Sequence, residues 1–143
     1  MEFITKSPRE TQKLGKKTAA DLIKKTPFIV ALTGDLGSGK TTFVQGFAKK
    51  LRVKKRIISP TFILMRTYKA KKKLSFYHLD LYRLEANFEE ELENMGVKDI
   101  WQQKGNILVI EWAEKIKDLL PKDTKWIKFE YLSDDQRKII IER

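Results

Sequence analysis

The sequence predicts an α/β fold: a three-layer sandwich with a mixed, largely parallel central sheet plus antiparallel strands. Three observations predict it. Residues 28–32 (FIVAL) and 107–110 (ILVI) are short, unbroken apolar runs, the pattern of strands covered on both faces. Stretches with apolar residues at helical spacing alternate with them, as a layered α/β domain requires. Two further pairs of β-like runs, FILMRTY with LSFYHLDLY and KWIKFEYL with RKIII, each flank a short charged or polar turn, the spacing of hairpins.

The elements follow in order. In SPRETQKLGKKTAADLIKK, Ser7 can cap a helix, Pro8 suits its first position and Glu10 can close a capping box. Leu14, Thr18, Leu22 and Ile23 then recur at helical spacing, and Thr26-Pro27 ends the run. After FIVAL comes a glycine loop, then TTFVQGFAKKL, with Phe43, Val44, Phe47 and Leu51 along one side. KAKKK (69–73) forms the charged tip of the first hairpin. ANFEEELENMG reads as a short acidic helix capped by Asn87 and ended by Gly96. WAEKIKDLL reads as a short helix stopped by Pro121, and the last strand pair turns around Ser133-Asp134-Asp135.

The chain has 143 residues, enough for one domain (1–143) with one substantial core. Hydrophobic residues make up 41%, which excludes compositional disorder. The absence of cysteine excludes disulfides and thiolate metal sites. MEFITKSPRE lacks the apolar core of a signal peptide, and no apolar run approaches the roughly 20 residues that span a bilayer. The expectation is a cytoplasmic protein with no membrane partner. The formal charge of +11 suits either an anionic partner or a lysine-rich soluble surface.

Residues 34–41 read GDLGSGKT, the G-x-x-x-x-G-K-T pattern of a phosphate-binding loop. The glycines let backbone N–H groups close around a triphosphate, and the following helix adds its positive end. Lys40 can reach the β- and γ-phosphates, and the Thr41 hydroxyl can ligate Mg²⁺. The fold is therefore expected to be P-loop NTPase-like. Lys40 is expected to face solvent when no nucleotide is bound.

Such a site needs a carboxylate at a neighbouring strand end. Glu111 closes the ILVI strand; it fits that role, or that of an ordinary acid at a helix start. Asp80 lies in FYHLDLY, where Phe76, His78, Asp80 and Tyr82 share a face. Asp80 suits metal binding or water orientation, or else a solvated strand position or a plain ion pair with Arg83. Which of Asp80 and Glu111 touches the metal stays open. His78, the sole histidine, reads as a hydrogen-bonded structural residue. Ser59-Pro60-Thr61 fits a switch that senses the γ-phosphate, or a simple turn.

GDLGSGKTTF, SPTF, HLDLYRL, EELENMGVKD, VIEWAEK and DDQRKIII together resemble the TsaE (YjeE) family, P-loop ATPases of bacterial tRNA threonylcarbamoyladenosine formation. The resemblance runs from about Ser7 to the C-terminus. It implies a slow, Mg²⁺-dependent ATPase, holding ATP or ADP and stimulated by its partners TsaD and TsaB. It implies nucleotide contacts at Gly37, Ser38, Gly39, Lys40, Thr41 and Thr42. Thr11 would lie near the base, with Glu114 and Arg137 also near the nucleotide. Metal ligation falls to Thr41 and Glu111, with Asp80 as a further catalytic and metal-side carboxylate and Thr61 in the switch-like segment. Trp112, beside Glu111, is either a reporter on the site or a core residue.

KKLRVKKR (49–56) and KAKKK are strongly basic and lack aromatic residues, so they suit tRNA backbone contact but not base stacking, or else serve solubility. Two other functions fit a phosphate loop. A small-molecule P-loop kinase would use KAKKK as a lid, and a nucleotide-regulated binding module would not hydrolyse at all.

Overall fold

A computed structural model describes residues 1–57 and 65–142. The chain opens with β1 (Glu2–Thr5), which the sequence patterns did not reveal, and then α1 (Pro8–Leu22). Ser7 caps α1 as expected, its hydroxyl accepting from Glu10 N at 3.1 Å. The Glu10 carboxylate reaches back to Lys6 N at 3.1 Å. A 3₁₀ turn at Ile23–Lys25 leads to β2 (Phe28–Thr33), and the glycine loop to α2 (Lys40–Lys50). β3 (Met65–Lys69) and β4 (Ser75–Asp80) pair antiparallel, with KAKKK at their turn. Residues 62–64, the expected start of that first strand, lie outside the described residues.

Two short helices follow, α3 (Phe88–Asn94) and α4 (Val97–Gln102), of which only the first was expected. Asn87 sits at the N-cap of α3, but its backbone is left-handed (φ 57°) and its side chain makes no capping bond. Gly96, also left-handed (φ 69°), joins the two helices. β5 (Asn106–Glu111) comes next, then the WAEKIKDLL segment. The short helix expected there is a 3₁₀ helix over Ala113–Leu119, interrupted at Ile116. β6 (Lys125–Tyr131) and β7 (Arg137–Ile141) complete the chain.

One seven-stranded sheet runs in the order β1-β7-β6-β2-β5-β4-β3. The four middle strands, β6, β2, β5 and β4, are mutually parallel. Antiparallel strands close both edges. Residues of β2 alternate between two cores. Val30 and Leu32 pack with Phe43, Phe47 and Phe76 beneath α1 and α2. Ile29 and Ala31 pack with Leu92, Val97 and Ile116 on the other face. Phe43, Phe47 and Phe76 are fully buried, each worth about 2–3 kcal/mol on transfer from water.

The position of α2 is set by contact with α1. A Cβ on Gly46 would collide with the Gln12 backbone, and one on Gly15 with the Phe43 carbonyl. The two helices touch through bare backbone at these points, which fixes the start of α2 against the sheet edge.

Candidate active site

The parallel strands β2, β5 and β4 end together. Leu32 is in register with Glu111, and Glu111 with Asp80. The glycine loop leaves β2 at that edge, where open α/β sheets bind their ligands. Gly34 has φ +135°, and a Cβ there would come within 2.5 Å of the Phe129 carbonyl oxygen. Gly39 (φ +101°) sits at the N-cap of α2, with no side chain bonded to the first-turn N–H groups. Those donors are thus available to an anion.

A cleft of about 360 Å³ lies over this edge, lined among others by Gly37, Lys40, Thr41, Asp80, Glu111 and Trp112. Glu111 is buried and central. Thr41 Oγ1 donates to its Oε1 at 3.4 Å, and His78 Nε2 lies 2.5 Å from its Oε2. His78 is completely buried, so the carboxylate is clamped between strand β4 and the first turn of α2. Asp80, also buried, accepts from Tyr82 N at 2.9 Å through Oδ1.

Lys40 is not solvent-facing, contrary to expectation. It is buried, its ammonium bonded to the Gly34 carbonyl and 3.7 Å from the centre of the Trp112 ring. Burial lowers its pKa below 10.5, against the opposing pull of Glu111, Glu114, Asp80 and Asp35. The physical reason is the aromatic face. An ammonium can leave water where a ring quadrupole and a carbonyl receive it.

Trp112 is itself held in the left-handed region (φ 61°) immediately after β5. Its ring packs against Tyr82 at 5.2 Å and lines the cleft. Lys115, which no sequence pattern singled out, donates to the carbonyls of Leu81, Tyr82 and Leu84 at 2.8–2.9 Å. It ties the segment after β4 to the segment after β5, holding Asp80 and Trp112 on one wall.

The cleft also contains Ser38, Gly39, Thr42 and Arg137. Arg137 Nε donates to the Gly37 carbonyl at 3.0 Å, and its Nη1 to that of Ser133 at 2.6 Å. The arginine thereby braces the phosphate loop against the β6–β7 turn. Thr11 stands apart, in a small depression shared with Thr42, Gly39 and Arg137, its hydroxyl 2.7 Å from that of Thr5. Glu114 lies outside the cleft, in a groove with Thr33 and Trp126, and reaches Lys40 by its field alone. Thr61 and its neighbours Ser59 and Pro60 fall outside the described residues.

The residues fit a magnesium ion. A hydroxyl and a carboxylate are in contact, with a second carboxylate alongside. These are the hard oxygen donors that Mg²⁺ takes. Among the described residues no cluster of three or more metal-type side chains exists. Ser38 Oγ is buried without a hydrogen-bond partner among the described residues, as a group waiting for a phosphate oxygen would be.

A sheet with a parallel centre, a glycine loop opening onto a helix, and a threonine paired with a strand-end carboxylate define a P-loop nucleotide-binding domain. The family model for the threonylcarbamoyl adenosine biosynthesis protein TsaE matches residues 5–139. The chain belongs to the TsaE family. It is 36% identical to the tRNA threonylcarbamoyladenosine biosynthesis protein TsaE of Bacillus subtilis, over 97% of this chain and 83% of that one. It is 42% identical to the Rickettsia bellii TsaE, covering 95% and 90%. The crystal structure of B. subtilis YdiB superposes with a TM-score of 0.76 at 31% identity, covering 99% of this chain and 83% of that one. No helix of the described residues is long and apolar enough to cross a membrane.

Proposed function

We propose that this protein binds ATP and hydrolyses it slowly, with Mg²⁺, as an accessory of tRNA threonylcarbamoyladenosine formation acting with TsaB and TsaD. One observation carries the reading: Thr41, Glu111 and Asp80 meet at the sheet edge beside a glycine loop, in a chain of the TsaE family. ATP would lie with its phosphates on Gly37–Thr42, using the first-turn N–H groups of α2. Lys40 would leave the Gly34 carbonyl and the Trp112 face for the β- and γ-phosphate oxygens. Thr41 and Glu111 would hold Mg²⁺, which supplies charge neutralisation at the transferring phosphoryl group. Asp80, one strand over, would orient the attacking water. His78 keeps the Glu111 carboxylate from turning away.

Hydrolysis is slow in this reading because catalysis by P-loop sites rests on positioning. The isolated chain commits its lysine elsewhere, and TsaB and TsaD would complete the arrangement. The kinase alternative loses its lid. KAKKK joins β3 to β4 at the start of β4, whereas Asp80 and the phosphate loop lie at its end.

Partner-stimulated phosphate release from ATP tests the proposal. Glu111→Ala and Asp80→Ala should each lose about 100-fold or more in turnover, the loss expected when a positioning or charge-stabilising group is removed. Turnover equal to the parent in both variants would leave a binding module, not an ATPase.

A further inference from the structure

The end of α2 remote from the phosphate loop has a chemistry the ATPase reading does not use. Residues 49–56 and 69–73 hold ten of the thirty basic residues and none of the nineteen acidic ones. The fold brings these separate stretches together: Lys71 N donates to the Leu51 carbonyl at 2.7 Å, seating the β3–β4 turn against the end of α2. Lys49, Lys50, Arg52, Lys54, Lys55 and Arg56 are exposed, and so are Lys69, Lys72 and Lys73.

The charges are crowded and unneutralised. Lys71 is pushed below its ordinary value by desolvation and then by Lys50, Arg52 and Lys72. Among the described residues, no ion pair joins any of these cations to a carboxylate; the surface pairs are Lys128–Glu130 and Lys138–Glu2. Lys49 instead donates to the Gln12 amide oxygen at 3.3 Å. Alongside runs a groove of about 360 Å³ lined by Gln12, Gln45, Lys49, Lys54, Lys55 and Arg56. Beside the apolar Ala48, Val53 and Ile57, its polar lining is amides and cations, the donors that phosphate oxygens accept from.

We infer that this merged patch binds the phosphodiester backbone of a folded RNA. The choice of RNA rests on the proposed role in tRNA modification; the choice of a polyanion rests on the patch itself. Protein interfaces are most often anchored by tryptophan, tyrosine or arginine in well-packed pockets, and the cations here stand in solvent. The large exposed apolar side chains of the described residues, Met1, Ile4, Leu36, Tyr82, Tyr131 and Leu132, all lie in other segments. With no aromatic in either basic stretch, contact is with backbone phosphates rather than bases, and tolerates any sequence. The eleven residues of α2 separate the patch from the cleft by about 16 Å, so the two are distinct surfaces.

The test titrates a labelled, folded tRNA transcript with the full chain across a salt series. Two variants neutralise the patch: Lys54→Gln with Lys55→Gln and Arg56→Gln, and Lys71→Gln with Lys72→Gln. A third neutralises the exposed Lys98, Lys104 and Lys122 to glutamine as a control. Each patch variant is expected to weaken binding about tenfold, and the log–log salt slope should fall by roughly 0.7–0.9 per charge removed. The control should keep the parent's affinity. ATP binding measured on the same preparations stays at the parent's level, which separates failure of this inference from failure of the nucleotide reading. The inference is overturned if the parent does not bind the transcript at low salt. It is equally overturned if the control loses as much as the patch variants, or if those variants keep RNA affinity and lose affinity for TsaB and TsaD.

Discussion

The two ends of α2 differ in how they handle positive charge. At its start, Lys40 is buried and engaged by a carbonyl and an indole face, with Glu111, Glu114 and Asp80 acting on it. At its finish, a cluster of lysines and arginines stands in solvent with no carboxylate paired to it among the described residues. The first arrangement depends on geometry and is intolerant of change. The second depends on charge count, and any one lysine there can be exchanged. A salt series therefore probes the far end, whereas single substitutions probe the near one.

The sharpest break in that contrast comes from Lys40→Ala. It should weaken ATP binding about 100-fold or more, since a charge-assisted contact to phosphate goes, while the fold survives. Desolvation of this ammonium outweighs the attraction of its carboxylate neighbours, so its removal should cost little stability, and thermal unfolding without nucleotide should change by only a few degrees. Unaltered ATP affinity by calorimetry would contradict the role given to this lysine. A single Lys54→Gln at the other end should move neither quantity.

Gly46→Ala tests whether the two ends are mechanically one body. The added methyl meets the Gln12 backbone, and overpacking of this kind costs about 1–3 kcal/mol. Chemical denaturation should register that loss. Because α2 carries the phosphate loop at its head, ATP affinity should drop with it. Undiminished stability would mean that α1 and α2 separate freely.

The near end was largely legible in the sequence because its chemistry has a spelling. Glycines, lysine and threonine at fixed spacing name a phosphate loop, and an apolar run ending in Glu111 names its strand. Asp80 came from alternation in FYHLDLY. What stayed hidden depended on contacts across the fold. That His78 braces Glu111 follows from β4 pairing with β5, which no local pattern reports. The burial of Lys40 depends on the left-handed turn that brings Trp112 over it. β1 was missed because four residues are too few to show alternation, and α4 because six are too few to show a helical face. The basic stretches were visible as composition, but only the Lys71–Leu51 backbone bond makes them one surface.

The smallest effect is in pH. Burial holds the Lys40 pKa below 10.5, so between its folded value and 10.5 the unfolded chain binds more protons than the folded one. Stability then rises with pH through that window as far as Lys40 governs it. Nucleotide binding has the opposite sign. Phosphate favours the charged ammonium and raises its pKa, so binding takes up a proton and ATP affinity falls as pH climbs through the free-protein value. The parent and Lys40→Met should be compared from about pH 8 upward, by ATP affinity and by denaturation. The difference between the two proteins isolates this lysine from the rest of a lysine-rich surface. Opposite slopes for affinity and stability are expected in that difference. Parallel slopes, with stability also falling as pH climbs, would mean that the neighbouring carboxylates outweigh desolvation at Lys40.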